Sequence, residues 1–240
     1  MAETHFDDWV APRYARLWPE LFDPAVVEPA VDFLARAADG GPALELGVGT
    51  GRIALPLARR GIGVHGVELS TAMADQLRAQ PGADAVDVTV GDFATVTVDR
   101  RFRLVYLLRN TITNLTTQDE QVACFRNAAA HLEPGGLFVI ENYLPAPPPR
   151  GETVRVVART PGHLGFEEYD VAAQVAVSHH YWQLDGELRV FASPHRYVWP
   201  GELDLMARFA GMTLRERWGD WRRTPFTAAS TDHISVWQKG

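Results

Sequence analysis

Ala43-Leu44-Glu45-Leu46-Gly47-Val48-Gly49-Thr50-Gly51 is the stretch on which the reading of this chain turns. A short apolar run carries one acid and ends in three closely spaced glycines. Arg52-Ile53-Ala54-Leu55-Pro56-Leu57-Ala58-Arg59-Arg60 follows with helical spacing. The pattern predicts a strand, a turn stripped of side chains, and a helix opening against that turn. Glycine lets backbone approach a ligand where a Cβ would collide. The first turn of a helix presents N–H groups that have no partner within the helix. Together these features predict a cradle for a nucleotide-type cofactor.

The spacing is not that of a dinucleotide site, G-x-G-x-x-G. Gly47 and Gly49 fit it, but the third glycine falls at 51 and position 52 is Arg. Working outward, residues 62 to 68 predict a second strand that closes on Glu68, 21 residues after Gly47. A carboxylate there can accept from both hydroxyls of a ribose. Residues 86 to 93 predict a third strand running into Gly91-Asp92-Phe93. Pro134-Gly135-Gly136 turns into a further strand that ends near Glu141.

In this order the four motifs resemble those of the class I S-adenosylmethionine-dependent methyltransferases, over roughly residues 40 to 143. The resemblance implies an α/β fold: a Rossmann-like, seven-stranded sheet flanked by helices and ending in an antiparallel hairpin. It implies S-adenosyl-L-methionine as cofactor and S-adenosyl-L-homocysteine as product. It implies that Asp92 takes the adenine amino group and that Phe93 packs on the ring. Tyr14, Glu45, Gly47, Gly49, Gly51, Arg52, Glu68, Leu69, Met73 and Asn110 complete the implied cofactor site.

Composition excludes several other chemistries. The 240 residues are 46% hydrophobic, enough for one substantial core with an elaborated cap. A net charge of -7 disfavours nucleic acid or an anionic membrane as partner. Arg215, Arg217, Arg222 and Arg223 form either an anion contact or a solvated face. The acidic first residues show no signal peptide, and no apolar run reaches the length of a membrane span, so the expected compartment is cytoplasmic. Cys124 is the only cysteine, which removes an intramolecular disulfide and a three-cysteine iron–sulfur site. Lys239 is the only lysine, which removes Schiff-base catalysis and a Walker-type phosphate loop.

Four regions are expected. Residues 1–39 form an N-terminal helical lid, with Phe6, Trp9, Tyr14 and Trp18 ahead of a helix that begins at Asp23-Pro24. Residues 40–149 are the cofactor-binding core. Pro145-Ala146-Pro147-Pro148-Pro149 is a stiff connection to an antiparallel cap over the active site, residues 150–198. A helix and the last two core strands occupy 199–240. The sugar N-methyltransferases of antibiotic pathways, which the chain resembles, carry comparable caps.

Leu184-Asp185-Gly186-Glu187 predicts a two-residue hairpin turn, so partners across it sum to 371. Val175, Val177, His179 and Tyr181 then share one face with Pro194, Ala192 and Val190, and this apolar face is expected to pack inward. Ser178, His180 and Trp182 share the other with Ser193, Phe191 and Arg189, with His195 nearby, and this face is either a substrate wall or solvent-facing. His180, and after it His179, are the acid/base candidates. They cannot share a metal without a bulge, and no metal is predicted.

By the same resemblance, Arg109-Asn110-Thr111-Ile112-Thr113-Asn114 faces the transferred methyl. It is not the Asn/Asp-Pro-Pro-Tyr of the nucleobase amino-methyltransferases, and it lacks the acids of the magnesium-dependent enzymes. Arg109 pairs either with a substrate or cofactor carboxylate, or with Glu45 or Glu141. The expected reaction is methyl transfer to N, O or C of a small organic acceptor, by a monomer or homodimer. The alternative is a derived enzyme that catalyses cyclisation or decarboxylation.

Overall fold

The computed structural model describes residues 6–240; the reading of the first five residues lies outside these. The aromatic lead-in is a run of short turns: a 3-10 turn at Ala11–Arg13, helix α1 (Tyr14–Leu17), and a 3-10 turn at Pro19–Phe22. Helix α2 (Pro24–Ala38) begins where the sequence places it. The Asp23 carboxylate accepts from Ala25 N–H at 2.8 Å, and Pro24 fills the first helical position.

Strand β1 (Ala43–Leu46), helix α3 (Ala54–Arg59), strand β2 (Val64–Glu68), helix α4 (Thr71–Arg78) and strand β3 (Val86–Val90) alternate. Strand β4 (Phe102–Leu107), helix α5 (Gln118–His131) and strand β5 (Leu132–Tyr143) continue the pattern. The cap strands β6 (Val154–Thr160), β7 (His163–Asp170), β8 (Val175–Leu184) and β9 (Glu187–Arg196) come next. Helix α6 (Pro200–Phe209) and strands β10 (Met212–Trp218) and β11 (Asp232–Lys239) finish the chain.

The main sheet has the order β10-β11-β5-β4-β1-β2-β3. Strands β1 to β5 are parallel, and β11 inserts antiparallel between β5 and β10. Alternation along each strand feeds two cores. Ala43, Leu104, Tyr106, Val139 and Val236 pack with α2 and α3. Leu44, Leu46, Val105, Phe138 and Trp237 pack with α5 and α6. Helix α5 is fixed at its start by a capping box between Thr117 and Glu120. Cys124 is buried on its inner face, where burial pushes the thiol up and leaves it inert. His131, in its last turn, accepts from Val98 N–H through Nε2 at 2.9 Å, which is a structural bond. Strand order reverses between β1 and β4, and ligands bind open α/β sheets at the carboxyl ends of such a switch point.

The cap is a second, antiparallel sheet of order β6-β7-β8-β9. Its hairpin register is the one read from the turn, with Val175 opposite Arg196 and Leu184 opposite Glu187. Its facing is the reverse of the expectation. Ala176, Ser178 and Ser193 are buried, whereas Val190, Ala192 and Pro194 are exposed. Period-two alternation fixes which residues share a face, not which face is covered. Here the polar, small-residue face is the covered one, and it supplies Glu167, Ser178 and His195 to the cleft below.

Lid and cap meet at the hairpin tip. Arg16 pairs bidentately with Asp185, Arg189 with Asp7, and Trp18 sets its edge on Trp182 at 5.9 Å. Arg189 also lies over the Trp9 ring.

Candidate active site

A cavity of about 510 Å³ opens at the carboxyl ends of β1, β2 and β4, between cradle, lid and cap. Its floor is the turn after β1. Gly47 and Val48 N–H both donate to Val67 O, which ties the turn to β2. Gly47 and Gly49 adopt φ of 73° and 56°, a left-handed backbone that glycine takes without strain. A Cβ at Gly49 would meet only the Met73 methyl, at 3.5 Å, so the space beside this backbone is open.

Gly51 serves otherwise. It does not line the cavity, and a Cβ there would press on Leu55 and Leu77 at 3.0 Å, so its smallness seats α3.

Glu68 closes β2 and is almost wholly buried. One oxygen accepts from Gly49 N–H at 2.8 Å and the other from Ser70 N–H at 2.9 Å. Burial pushes this carboxyl up, and the backbone donors pull it back. Each oxygen keeps a lone pair for a further donor, as two ribose hydroxyls require. Leu69 and Met73 line the same wall, and Asp92 and Phe93 the next. Asp92 Oδ1 accepts from Ala94 N–H at 2.8 Å. The Thr50 hydroxyl is a buried atom with no hydrogen-bond partner, in the cradle itself. An orphaned hydroxyl, an open glycine turn and two acids, Glu68 and Asp92, lining one cavity fit an adenosyl cofactor.

Glu45 and Arg52 line the inner end. The Glu45 carboxyl accepts from Tyr106 OH at 2.9 Å, and Arg52 donates to Leu21 O, which binds the lid to the cradle. Burial pushes Glu45 up from 4.5 to about 8, against the pull of the Tyr106 hydroxyl and of Arg52. The folded chain therefore keeps a proton that the unfolded chain releases near pH 4.5. The stability from Glu45 is complete below that pH, falls as pH rises, and is gone above about 8. His233, held down to about 4 by burial and then by Arg217, runs the other way: its contribution is lost as pH falls from 6.5 to 4. The difference in melting temperature between wild type and Glu45→Gln isolates the first effect. It should shift steadily against wild type from pH 5 to 8; a pH-independent difference would refute a protonated Glu45.

Tyr14 comes down from the lid, edge-on to Phe6 and Phe22 and tilted against Trp18. Burial raises its hydroxyl, and Arg52 and Arg109 oppose the shift. Arg109 and Asn110 both adopt positive φ, 51° and 61°. Two successive left-handed residues of this size are costly and fold the chain sharply out of β4. The turn is held by Asn110 Oδ1, which accepts from Tyr143 N–H at 2.8 Å, and by Arg109 N–H, which donates to Glu141. The Arg109 guanidinium lines the cavity, and among the described residues no carboxylate lies within ion-pair distance of it.

His179 and His180 are not in the cavity wall. His179 is on the outer face of the cap, stacked on Phe166. His180 is on the inner face but bonds His163 at 2.8 Å, beside a Trp182 ring stacked on His163. The cap contributes Glu167, Ser178, Pro194 and His195 instead. Sequence reasoning missed Glu167, because alternation alone does not say whether Glu167, opposite Ser178, or Glu168, opposite Val177, faces the cavity. His195 was visible only as a neighbour of the Ser178 face. Among the described residues no group of three His, Cys, Asp or Glu could hold a metal, and no helix is long and apolar enough to cross a membrane.

A family described as "Methyltransferase domain" matches residues 43–136. The cypemycin N-terminal methyltransferase of a Streptomyces species is 31% identical over 209 residues, 85% of each chain. The structure of the CcbJ methyltransferase from Streptomyces caelestis superposes with a TM-score of 0.86 at 38% identity, covering 99% of this chain and 98% of that one. CalS10 from Micromonospora echinaspora, an amino pentose methyltransferase solved with S-adenosylmethionine bound, shares the fold over the whole of both chains at 22% identity and a TM-score of 0.69. With the cradle, its acids and this similarity along nearly the full length, the chain belongs to the S-adenosylmethionine-dependent methyltransferases and takes S-adenosylmethionine as its cofactor.

Proposed function

We propose that the chain transfers a methyl group to an amine nitrogen of a small natural-product acceptor. The observation that carries this reading is the Glu167 carboxylate in the cap wall of the cavity. It accepts from Tyr169 OH and, at 3.4 Å, from Ser178 Oγ, so it is held in place. A carboxylate facing an acceptor pocket attracts an ammonium group and offers a neutral alcohol much less. The names of related proteins agree: an N-terminal methyltransferase, an amino pentose methyltransferase and a sugar N-methyltransferase.

S-adenosylmethionine supplies an activated methyl on a sulfonium; the protein need not activate the donor. In the cradle, Glu68 is the residue for the ribose, Asp92 and Phe93 for the base, and Glu45 and Arg52 for the charged amino-acid end. Tyr14, Leu69, Met73 and Asn110 close the surrounding wall. On the acceptor side, Glu167 fixes the amine, and His195 takes its proton so that the nitrogen lone pair is free to attack. His195 contacts Ser193 Oγ at 2.9 Å and Thr113 Oγ1 at 3.5 Å, which orients the ring. Arg109 gives a counter-charge to acceptors that also carry an acid. His195 thus takes the role that sequence reasoning gave to His180 and His179. Lid and cap together exclude water.

The test is a panel of amines and matched alcohols, with the methylated atom located by tandem mass spectrometry. N-methyl products are expected. Glu167→Gln should raise KM for the amine tenfold or more, from a lost charged contact of about 1.5–3 kcal/mol, with cofactor affinity unchanged. His195→Ala should lower kcat about a hundredfold, and His180→Ala far less. Methylation at oxygen, or turnover with no gain of a methyl, would overturn the reading.

A further inference from the structure

Beyond the cofactor cradle, the cavity holds two opposite charges that are not paired with each other: Glu167 in the cap wall and Arg109 on the turn that leaves β4. The Glu167 carboxylate is held by Tyr169 OH and Ser178 Oγ, one on each oxygen. Arg109 has no such partner. The two acids that its position in sequence offers are both engaged elsewhere. Glu141 accepts from the backbone N–H of Arg109 with one oxygen and from Trp221 Nε1 with the other, at 2.8 Å. Glu45 accepts from Tyr106 OH.

The placement of Arg109 is strained and tied to the cap. It and Asn110 hold φ of 51° and 61°, a conformation that residues with a Cβ keep mainly at functional sites. Asn110 Oδ1 accepts from Tyr143 N–H at 2.8 Å. The Tyr143 hydroxyl is raised by burial and then by the Glu167 carboxylate, so Tyr143 runs from the Arg109 turn to the cap acid and lines the cavity as it does so. The same turn continues into Thr113, whose Oγ1 lies 3.5 Å from His195 Nδ1. Arg52 differs. It stands just past the glycine turn, donates to Leu21 O and faces Glu45, at the amino-acid end of the cofactor. With Arg52 there, Arg109 is left for the acceptor.

We propose, resting on N-methylation as the reaction, that Arg109 selects the acceptor by its carboxylate: the substrate is a zwitterion of the amino-acid class, its ammonium on Glu167 and its carboxylate on the Arg109 guanidinium. The planar guanidinium offers a carboxylate two parallel N–H donors. A phosphate-bearing acceptor fits less well, because it brings up to two negative charges to walls that hold Glu167 and Glu120. An amine whose acid is amidated leaves Arg109 without a counter-charge once the chamber is filled, and a site loses most of its affinity for an analogue that strands its polar group.

The test compares amino acids of increasing length, α to δ, each with the carboxamide, the aminoalkyl phosphate and the diamine of equal length. At least one carboxylate should exceed its amide in kcat/KM by roughly ten- to a hundredfold. Arg109→Gln should erase that preference, mainly through KM for the carboxylate, with S-adenosylmethionine affinity unchanged by calorimetry. Arg109→Glu should turn the preference to the diamine, a gain that disruption of the turn does not produce. Glutamine and glutamate are unbranched at Cβ, as arginine is, so the left-handed turn keeps a comparable residue. An equal fall for acid and amide in Arg109→Gln would make Arg109 a structural residue and overturn the proposal. Weaker S-adenosylmethionine binding would give the arginine to the cofactor and overturn it too. So would equal turnover of acid and amide by wild type, preference for the phosphate, or turnover of none of the amino acids. Methylation at oxygen sinks the N-methylation reading; methylation at nitrogen without preference for a carboxylate sinks only the role of Arg109.

Discussion

Gly49→Val is expected to abolish measurable S-adenosylmethionine binding while the chain stays folded. Gly49 holds φ at 56°, where a residue with a Cβ loses roughly 1–2 kcal/mol. Within the protein the added carbon meets only the Met73 methyl at 3.5 Å, an ordinary contact. The burden therefore falls on the ligand and on the Gly49 N–H that holds Glu68. An affinity loss of at least a hundredfold, about 2.7 kcal/mol, should be seen by calorimetry, with an unchanged far-ultraviolet spectrum. Gly47→Val makes a useful contrast. Its Cβ would stand 2.9 Å from the Thr111 side chain, so that variant should lose stability as well as affinity. Unchanged affinity in Gly49→Val would remove the turn from the cofactor site.

Arg196→Met is expected to produce the largest loss of stability, about 3–5 kcal/mol in urea denaturation. Arg196 ends β9 and is buried, with its guanidinium on Glu202 at 2.6 Å and on the Gln121 and Gln174 amides. Its carbonyl accepts from Gln121 Nε2 at 3.0 Å. One residue thus joins the cap to α5 and α6. Methionine keeps most of the volume but leaves the Glu202 carboxylate without its cation. That cation helps hold Glu202 below its ordinary pKa against the effect of burial. Arg196→Met with Glu202→Met should recover part of the loss, because removing both members of a buried pair leaves no stranded charge. A double variant no better than the single one would show that packing, not charge, ties the cap down.

What the sequence disclosed follows the range of the interactions involved. Gly47, Gly49, Glu68 and Asp92 sit at fixed offsets in short strand-turn units, where spacing alone constrains the backbone. The hairpin register followed from the two-residue turn at Asp185-Gly186 for the same reason. The facing of the cap did not, because alternation is symmetric and the choice of covered side depends on Trp18, more than 150 residues away in sequence. That is why His179 attracted attention though it faces outward; His180 shares the covered face with Glu167 and His195 but is engaged by His163, and only the latter two reach the cavity. Nor did Arg109-Asn110 announce two left-handed residues, since neither type requires that conformation. The pairing of Arg196 with Glu202 and Gln121 is likewise set by how the cap docks, which local patterns do not encode.

The seam between lid and cap has a consequence for traffic. Arg16–Asp185 and Arg189–Asp7 are exposed surface pairs, weakened by solvent and salt, and beside them stand the Trp18–Trp182 edge and Arg189 over the Trp9 ring. Parting the roof along this line breaks these contacts and no hydrogen bond within either sheet. A roof parted here would leave both sheets whole while it let spent cofactor and product out and fresh ones in. Because the Arg16–Asp185 and Arg189–Asp7 fasteners are exposed ion pairs, higher salt should loosen the seam.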